Sequence, residues 1–313
     1  MLRFCYILLF LFAFFNIEAN NLQRIKNFGN NPGNLNLYVY NPDTTKPNMP
    51  IVAVLHGCNS SAENMARLSE WNKAAHQHQF IVLYPQQIPL NNGSSCFNWF
   101  LSGDQRRGDG EPESIVNMVR YIIAKQRADS SRVYITGISA GAAMANILLT
   151  QYPDVFRSGS LVAGGPAGVA DNLKNATAMM KGTLKPDSAT LTRNIYPTSN
   201  PPTVIIFHGL RDKTVHPKNS DWLKLQFLYW HKSDTVVDQK LVDQNKLTYQ
   251  QMFRDSTGRC VVKMVLFEKM GHALPVNPGT HVDQGGQTGL FAKDVDLWYV
   301  YETLRFWGFV KDT

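Results

Sequence analysis

The chain has 313 residues, 44% hydrophobic and 18% charged, with a formal charge of +7. This fits a soluble globular protein with a sizeable core, long enough for one large α/β domain or two smaller ones. There is no long block of consecutive Lys/Arg and no nucleic-acid module, so the charge reads as a dispersed basic surface and a nucleic-acid partner is not expected.

Residues 1–20 stand apart. One charge at Arg3 precedes an apolar run of twelve, residues 4–15, and a small residue at Ala19 follows. The run is too short to span a bilayer comfortably, and the pattern predicts a secretory signal peptide over residues 1–19. An uncleaved membrane anchor is the rival reading. Export makes the thiol count informative. Without Cys5 the mature chain keeps Cys58, Cys96 and Cys260, which suggests one disulfide and one leftover.

From residue 21 to 34 the chain is polar, with Pro32-Gly33 as a turn signal. Residues 35–40 (LNLYVY) alternate like a strand. Residues 51–55 (IVAVL) form a continuous apolar run, as expected of a strand buried on both faces, and His56-Gly57-Cys58 lies at its end. Residues 62–79 have helical spacing, with Met65, Leu68, Trp71 and Ala75 on one face. Residues 80–84 (FIVLY) give another buried strand. A long irregular stretch, 86–112, carries Cys96-Phe97-Asn98-Trp99-Phe100; loops of this length in a compact domain are usually functional. A helix is predicted over 113–128.

Residues 132–150 read RVYITGISAGAAMANILLT. An apolar strand stops at Gly137, Ser139 sits in Gly-Ile-Ser-Ala-Gly, and a small-residue helix follows. This is the strand–turn–helix setting of a nucleophile elbow. A serine lifted above a strand end needs nearly side-chain-free neighbours at positions minus two and plus two, and Gly137 and Gly141 supply them. Beyond it come a strand over 158–163, a weakly patterned segment over 171–202 that is a candidate cap or insertion, and a strand over 203–207. A helix over 219–232, paired strands over 247–253 and 260–267, a Gly-rich loop to Gly289 and a closing helix over 294–307 complete the chain. Alternating strands and helices predict a mostly parallel sheet covered on both faces, with ligands at the carboxyl ends of its strands.

A serine hydroxyl needs a base, usually a histidine held by a carboxylate. Of eight histidines, His272 follows the last apolar strand in a Gly-His loop and is the preferred base; His216 is a weaker candidate. His56 and His208, each at a strand end before a glycine, read as braces for neighbouring loops. Asp212, five residues past the strand 203–207, is the preferred acid over Asp221 and Asp234. The order Ser139, Asp212, His272 is that of an α/β-hydrolase triad. The Ala140 N–H and the Cys58 N–H are the expected oxyanion donors. A Cys58–Cys96 bridge would pin two loops beside the site and contribute on the order of 3–4 kcal/mol; three reduced thiols are the alternative. Trp99 and Phe97 offer an apolar substrate subsite, with plain loop packing as the alternative. No HExxH or CxxC is present, and the Gly-Gly pairs lack the setting of phosphate loops, so neither metal nor nucleotide cofactor is expected.

The motifs VLHGC (54–58), FIVLYPQQ (80–87), CFNWF (96–100), GEPESI (110–115), RVYITGISAGAAMA (132–145), FHGLRDKTV (207–215) and GHALPVN (271–277) together resemble the poly(3-hydroxybutyrate) depolymerase family of α/β-hydrolases. That family is close to the feruloyl and acetylxylan esterases. The resemblance implies Ser139 as nucleophile, Asp212 as acid, His272 as base and a Cys58–Cys96 disulfide. It also implies a single α/β-hydrolase catalytic domain over residues 20–313. Two features depart from it. Phe97 follows Cys96 where the family commonly has Trp, and the chain ends soon after the catalytic domain, without the further binding domain many secreted depolymerases carry. The expectation is an exported, cofactor-free serine esterase acting on hydroxybutyrate-type oligomers or polymer, secreted or periplasmic. A feruloyl or acetylxylan esterase is the first alternative and a non-catalytic binding protein on a hydrolase scaffold the second.

Overall fold

The computed structural model describes residues 22–244 and 248–310; the expected signal segment and Cys5 lie outside them. In chain order the elements are β1 (Gln23–Ile25), β2 (Asn36–Tyr40), β3 (Ile51–Leu55), α1 (Ala62–Ser69), α2 (Trp71–His78), β4 (Ile81–Gln86), α3 (Gly110–Gln126), β5 (Val133–Ile138), α4 (Ala140–Gln151) and β6 (Ser158–Val162). They continue with α5 (Leu173–Met180), α6 (Ser188–Thr192), β7 (Thr203–Gly209), α7 (Lys218–His231), β8 (Gln239–Asp243), β9 (Thr248–Arg254), β10 (Cys260–Phe267), β11 (Leu274–Val276), β12 (Ala292–Asp294) and α8 (Tyr299–Phe306).

Ten strands form one sheet in the order β1-β2-β4-β3-β5-β6-β7-β10-β9-β8. From β4 through β10 every neighbouring pair is parallel. The wings, β1-β2-β4 on one side and β10-β9-β8 on the other, are antiparallel. The sheet is therefore mixed, with the predicted parallel arrangement at its centre.

Period-two alternation along the central strands feeds two cores. Ile51, Ala53, Leu55, Val133, Ile135, Val204 and Ile206 point to the face covered by α3, α4 and α7. Val52, Val54, Tyr134, Ile205 and Phe207 point to the face covered by α1, α2 and α8. Because both faces are covered, the strands read as unbroken apolar runs. On the second face Trp71 stacks on Trp307 and donates its Nε1–H to the Tyr299 hydroxyl at 2.9 Å, joining α2 to α8.

Two expectations about elements change. The helix predicted over 62–79 is two helices, broken at Glu70, which has φ 56° and serves as the last cap of α1 and the first of α2. The break is held by the Glu70 carboxylate, which accepts the Gly286 N–H at 3.1 Å. The closing helix begins at Tyr299 rather than 294, because residues 292–294 pair in parallel with β11. Segment 171–202 holds α5 and α6, each started by a side-chain cap, Asn172 onto Asn175 N–H and Asp187 onto Thr190 N–H.

Candidate active site

β5 ends at Ile138 and α4 begins at Ala140, so Ser139 must turn the chain within one residue. It does so at φ 58° and ψ −123°, a conformation L-residues rarely adopt. Two backbone hydrogen bonds fix it: Ser139 N–H donates to Val162 O of β6 at 2.9 Å, and Ser139 O accepts the Ala143 N–H at 3.0 Å. The flanking glycines are sterically required. A Cβ on Gly137 would lie 2.5 Å from the Gly141 carbonyl, and one on Gly141 would lie 2.4 Å from His56 O. Helix, elbow and the end of β3 are thus packed backbone to backbone.

Asp212 follows β7 and His272 precedes β11. The His272 Nδ1–H donates to Asp212 Oδ2 at 2.7 Å. Asp212 Oδ1 accepts the Thr214 and Val215 N–H groups at 2.8 Å each. His208, fully buried at the end of β7, directs Nε2 to Val215 O at 2.9 Å and lies 3.4 Å from Asp212 Oδ2. Burial alone would push the Asp212 carboxyl up. Hydrogen bonds from His208 and His272, the His272 charge and the Val215 N–H overcome that and hold it well below the ordinary carboxylate range. The pair therefore leaves His272 Nε2 as the free ring nitrogen. The rival residues are engaged elsewhere: His216 Nδ1 accepts from Lys218 N–H, Asp221 pairs with Lys224, and Asp234 accepts from Val236 N–H.

The opposite side of the elbow is the turn after β3. His56 is buried; its Nδ1–H donates to Gly57 O at 2.7 Å and its Nε2 accepts the Gln87 N–H at 3.1 Å. Burial lowers its pKa to about 4, so the ring is neutral at physiological pH and both hydrogen bonds are kept. The expected Cys58–Cys96 disulfide is present, joining this turn to the long loop over a sequence separation of 38. Asn59 N–H adds a bond to Ser94 O at 2.7 Å. Ala140 is the first residue of α4, so its N–H has no intrahelical acceptor and points out of the helix start.

Ser139 and His272 open into one cavity of about 190 Å³. Gly57 and Cys58 form one wall of it, and Met65, Leu68, Ile138, Leu274 and Phe291 make it apolar. Met180, the last residue of α5, also lines it, so the weakly patterned segment reaches the site. Trp99 and Phe97 do not line this cavity. Phe97 is completely buried, packed against the His56 ring with centroids 5.0 Å apart, and Trp99 packs edge-on against Phe100. The substrate subsite expected of these two rings is instead loop packing behind the site. Among the described residues, no group of His, Cys, Asp or Glu is placed to hold a metal ion.

One residue near the site, within the GEPESI motif, has no role assigned to it from the sequence. Glu111, in the first turn of α3, is 1% exposed and accepts hydrogen bonds from the side chains of Gln87 and Asn98 and from the Asn98 N–H. Burial, aided by the nearby Asp104 charge, pushes its pKa up to about 8 against the pull of those donors.

Residues 35–240 match the family described as Esterase PHB depolymerase. A poly(3-hydroxyalkanoate) depolymerase C from Paucimonas lemoignei is 37% identical over 294 residues, which are 92% of this chain and 70% of that protein. A probable acetylxylan esterase A from Aspergillus clavatus is 30% identical over 278 residues, 83% of this chain and 86% of that one. Among solved structures, an acetyl xylan esterase from Aspergillus awamori superposes with a TM-score of 0.77 at 22% identity, covering 93% of this chain and all of the other. The last comparison establishes the α/β-hydrolase fold, and the first two place the chain: it belongs to the Esterase PHB depolymerase family and is an esterase.

Proposed function

We propose that this chain is an exported serine esterase that hydrolyses 3-hydroxybutyrate-type polyester or oligoester bonds through an acyl-enzyme. The observation that carries the reading is the opening of Ser139 and His272 into one apolar cavity, with His272 bonded to an ionised Asp212.

In this reaction Ser139 Oγ attacks the ester carbonyl carbon and gives its proton to His272 Nε2. Asp212 holds the ring by Nδ1 and stabilises the imidazolium that forms. The carbonyl oxygen takes the negative charge and is received by the Ala140 and Cys58 N–H groups. Collapse breaks the ester C–O bond, and His272 returns its proton to the leaving alkoxide. Water then loses a proton to His272, attacks the acyl-enzyme and releases the hydroxy acid with Ser139 reprotonated.

The cavity is smaller than the roughly 300–1,000 Å³ that takes drug-sized ligands, and its apolar walls suit a short acyl unit. α5, through Met180, acts as a cap over that unit. The similarity to a poly(3-hydroxyalkanoate) depolymerase over 92% of the chain supports the polyester choice. A disulfide at the site and the apolar residues 4–15 support an oxidising, exported setting. The second reading is an acetylxylan-type carbohydrate esterase, favoured by the relative that is 30% identical.

Product analysis on hydroxybutyrate oligomers of graded length, beside acetylated and feruloylated xylo-oligosaccharides, separates the two. Release of 3-hydroxybutyrate units is expected; deacetylation with no oligomer cleavage transfers the protein to the second reading. S139A should abolish turnover with the fold intact, and unchanged ester hydrolysis in that variant sinks the nucleophile assignment.

A further inference from the structure

Glu111 lies one layer behind the turn that carries Cys58. Among the described residues, its two oxygens receive three N–H groups. Oε1 accepts from Gln87 Nε2 and from Asn98 Nδ2 at 2.9 Å, and Oε2 accepts from the Asn98 N–H at 2.9 Å. Both amides are fixed in orientation by their other contacts. Gln87 Oε1 accepts the Ile88 N–H at 3.0 Å and Asn91 Nδ2 at 2.7 Å, and Asn98 Oδ1 accepts Asn92 Nδ2 at 2.9 Å. The NH₂ ends therefore have to face Glu111.

Two paths lead from this carboxylate to Cys58. Along the first, Gln87 holds its side chain on Glu111 and donates its N–H to His56 Nε2 at 3.1 Å, and His56 Nδ1–H donates to Gly57 O at 2.7 Å. Gly57 C=O and Cys58 N–H belong to one peptide group, which is planar and trans, so holding the carbonyl aims the N–H the opposite way. Along the second, Glu111 anchors the backbone of Asn98, two residues from Cys96, which is bonded to Cys58. A Cβ on Gly57 would meet nothing nearer than 3.4 Å, so side-chain packing at this residue does not set the peptide; the hydrogen-bond chain and the Cys58–Cys96 bridge do.

We propose that Glu111 is a positioning residue that, through Gln87 and His56, aims the Cys58 N–H at the oxyanion. The inference rests on the serine-esterase reading above. The three N–H donors need an acceptor on each oxygen of Glu111, and an amide in its place presents an NH₂ to at least one of them. Burial and the nearby Asp104 charge oppose ionisation of Glu111, the three N–H donors favour it, and Glu111 also donates its backbone N–H to Asp104 Oδ1 at 2.7 Å.

The test compares wild type with E111Q, Q87L and the double variant, each normalised to its folded fraction by circular dichroism. The readouts are kcat and KM on 4-nitrophenyl butyrate and the rate of labelling by a fluorophosphonate, whose P=O oxygen occupies the oxyanion position. Each single variant is expected to lower kcat and the labelling rate about tenfold, part of the 10²–10³-fold that losing an oxyanion donor costs. KM should stay within about twofold, since only transition-state contacts are weakened. The double variant should be no slower than E111Q, because Q87L cuts only a path that E111Q has already cut. Unchanged kcat per folded molecule, or losses that multiply in the double variant, overturns the proposal. If E111Q does not fold, Q87L alone decides it by the same kcat and labelling criteria. A wild-type protein that the fluorophosphonate does not label overturns the serine-esterase reading instead.

Discussion

Asp212 spends its two oxygens on two backbone N–H groups, on His272 and on the edge of His208. Its folded pKa is depressed, so its stabilising contribution is present above the unfolded carboxylate value near 3.9 and is lost as pH falls through the lower folded value. Over the neutral range it remains charged, and the charge is what D212N removes. That variant keeps the shape but lets His272 take the wrong tautomer, and kcat should fall about 10⁴-fold; steady-state hydrolysis of a soluble ester at pH 7 measures it. Glu111 has the opposite sign. Its folded pKa is raised to about 8, so the folded state binds the proton more tightly than the unfolded chain does. Its contribution to stability therefore declines as pH rises from the ordinary glutamate range through about 8. Urea unfolding at pH 5 and pH 9 should show E111Q gaining on wild type at the alkaline end; an equal difference at both pH values would contradict that titration. The two acids also differ in legibility. Asp212 sits just past a strand end, where a chain-order rule points to it. Glu111 follows Asp109-Gly110 at a helix start, where an acidic residue is ordinary. Its burial comes from Gln87 and Asn98, and no local pattern announces a contact between such separated positions.

The elements that bear the site were legible where their signals were local. The elbow needs only five residues to declare itself, and the parallel strands declare themselves as apolar runs. The break between α1 and α2 did not, because Glu70 takes a left-handed conformation without being glycine and is held there by the distant Gly286 N–H. β8 was missed because all five of its residues are exposed, which leaves no alternation to detect. Phe97 and Trp99 were placed in the right loop and on its wrong side: aromatic residues in a long loop can face a ligand or the core, and the pairing of Phe97 with His56 decides for the core. The disulfide that tethers this loop closes a 38-residue separation, worth about 4 kcal/mol on the chain-entropy account. Reduction, or C58S with C96S, should lower the thermal midpoint and slow turnover together, since the bridge holds the turn that walls the cavity beside Ser139. Thermal melts and rates recorded with and without a phosphine reductant measure both, and a midpoint indifferent to reductant would show that the bridge contributes nothing.

At the scale of the whole molecule, the parallel centre of the sheet gathers the chemistry at one edge. β3 delivers the turn with Gly57 and Cys58, β5 delivers Ser139, β7 delivers Asp212, and the loop beyond β10 delivers His272. The position of β10 has a consequence for how the molecule comes into being. It is the last strand of the ten-stranded sheet to be made, yet it lies inside that sheet, between β7 and β9. A chain leaving the ribosome without it carries Ser139 and Asp212 but not His272, and β7 presents an unpaired strand edge of the kind that other chains join. The long-range pairing of β10 with β7 also belongs among the slower steps of folding. With His272 as the proposed base, ester hydrolysis is expected to begin only when the sheet is whole, and the appearance of activity during refolding would time the insertion of that one strand.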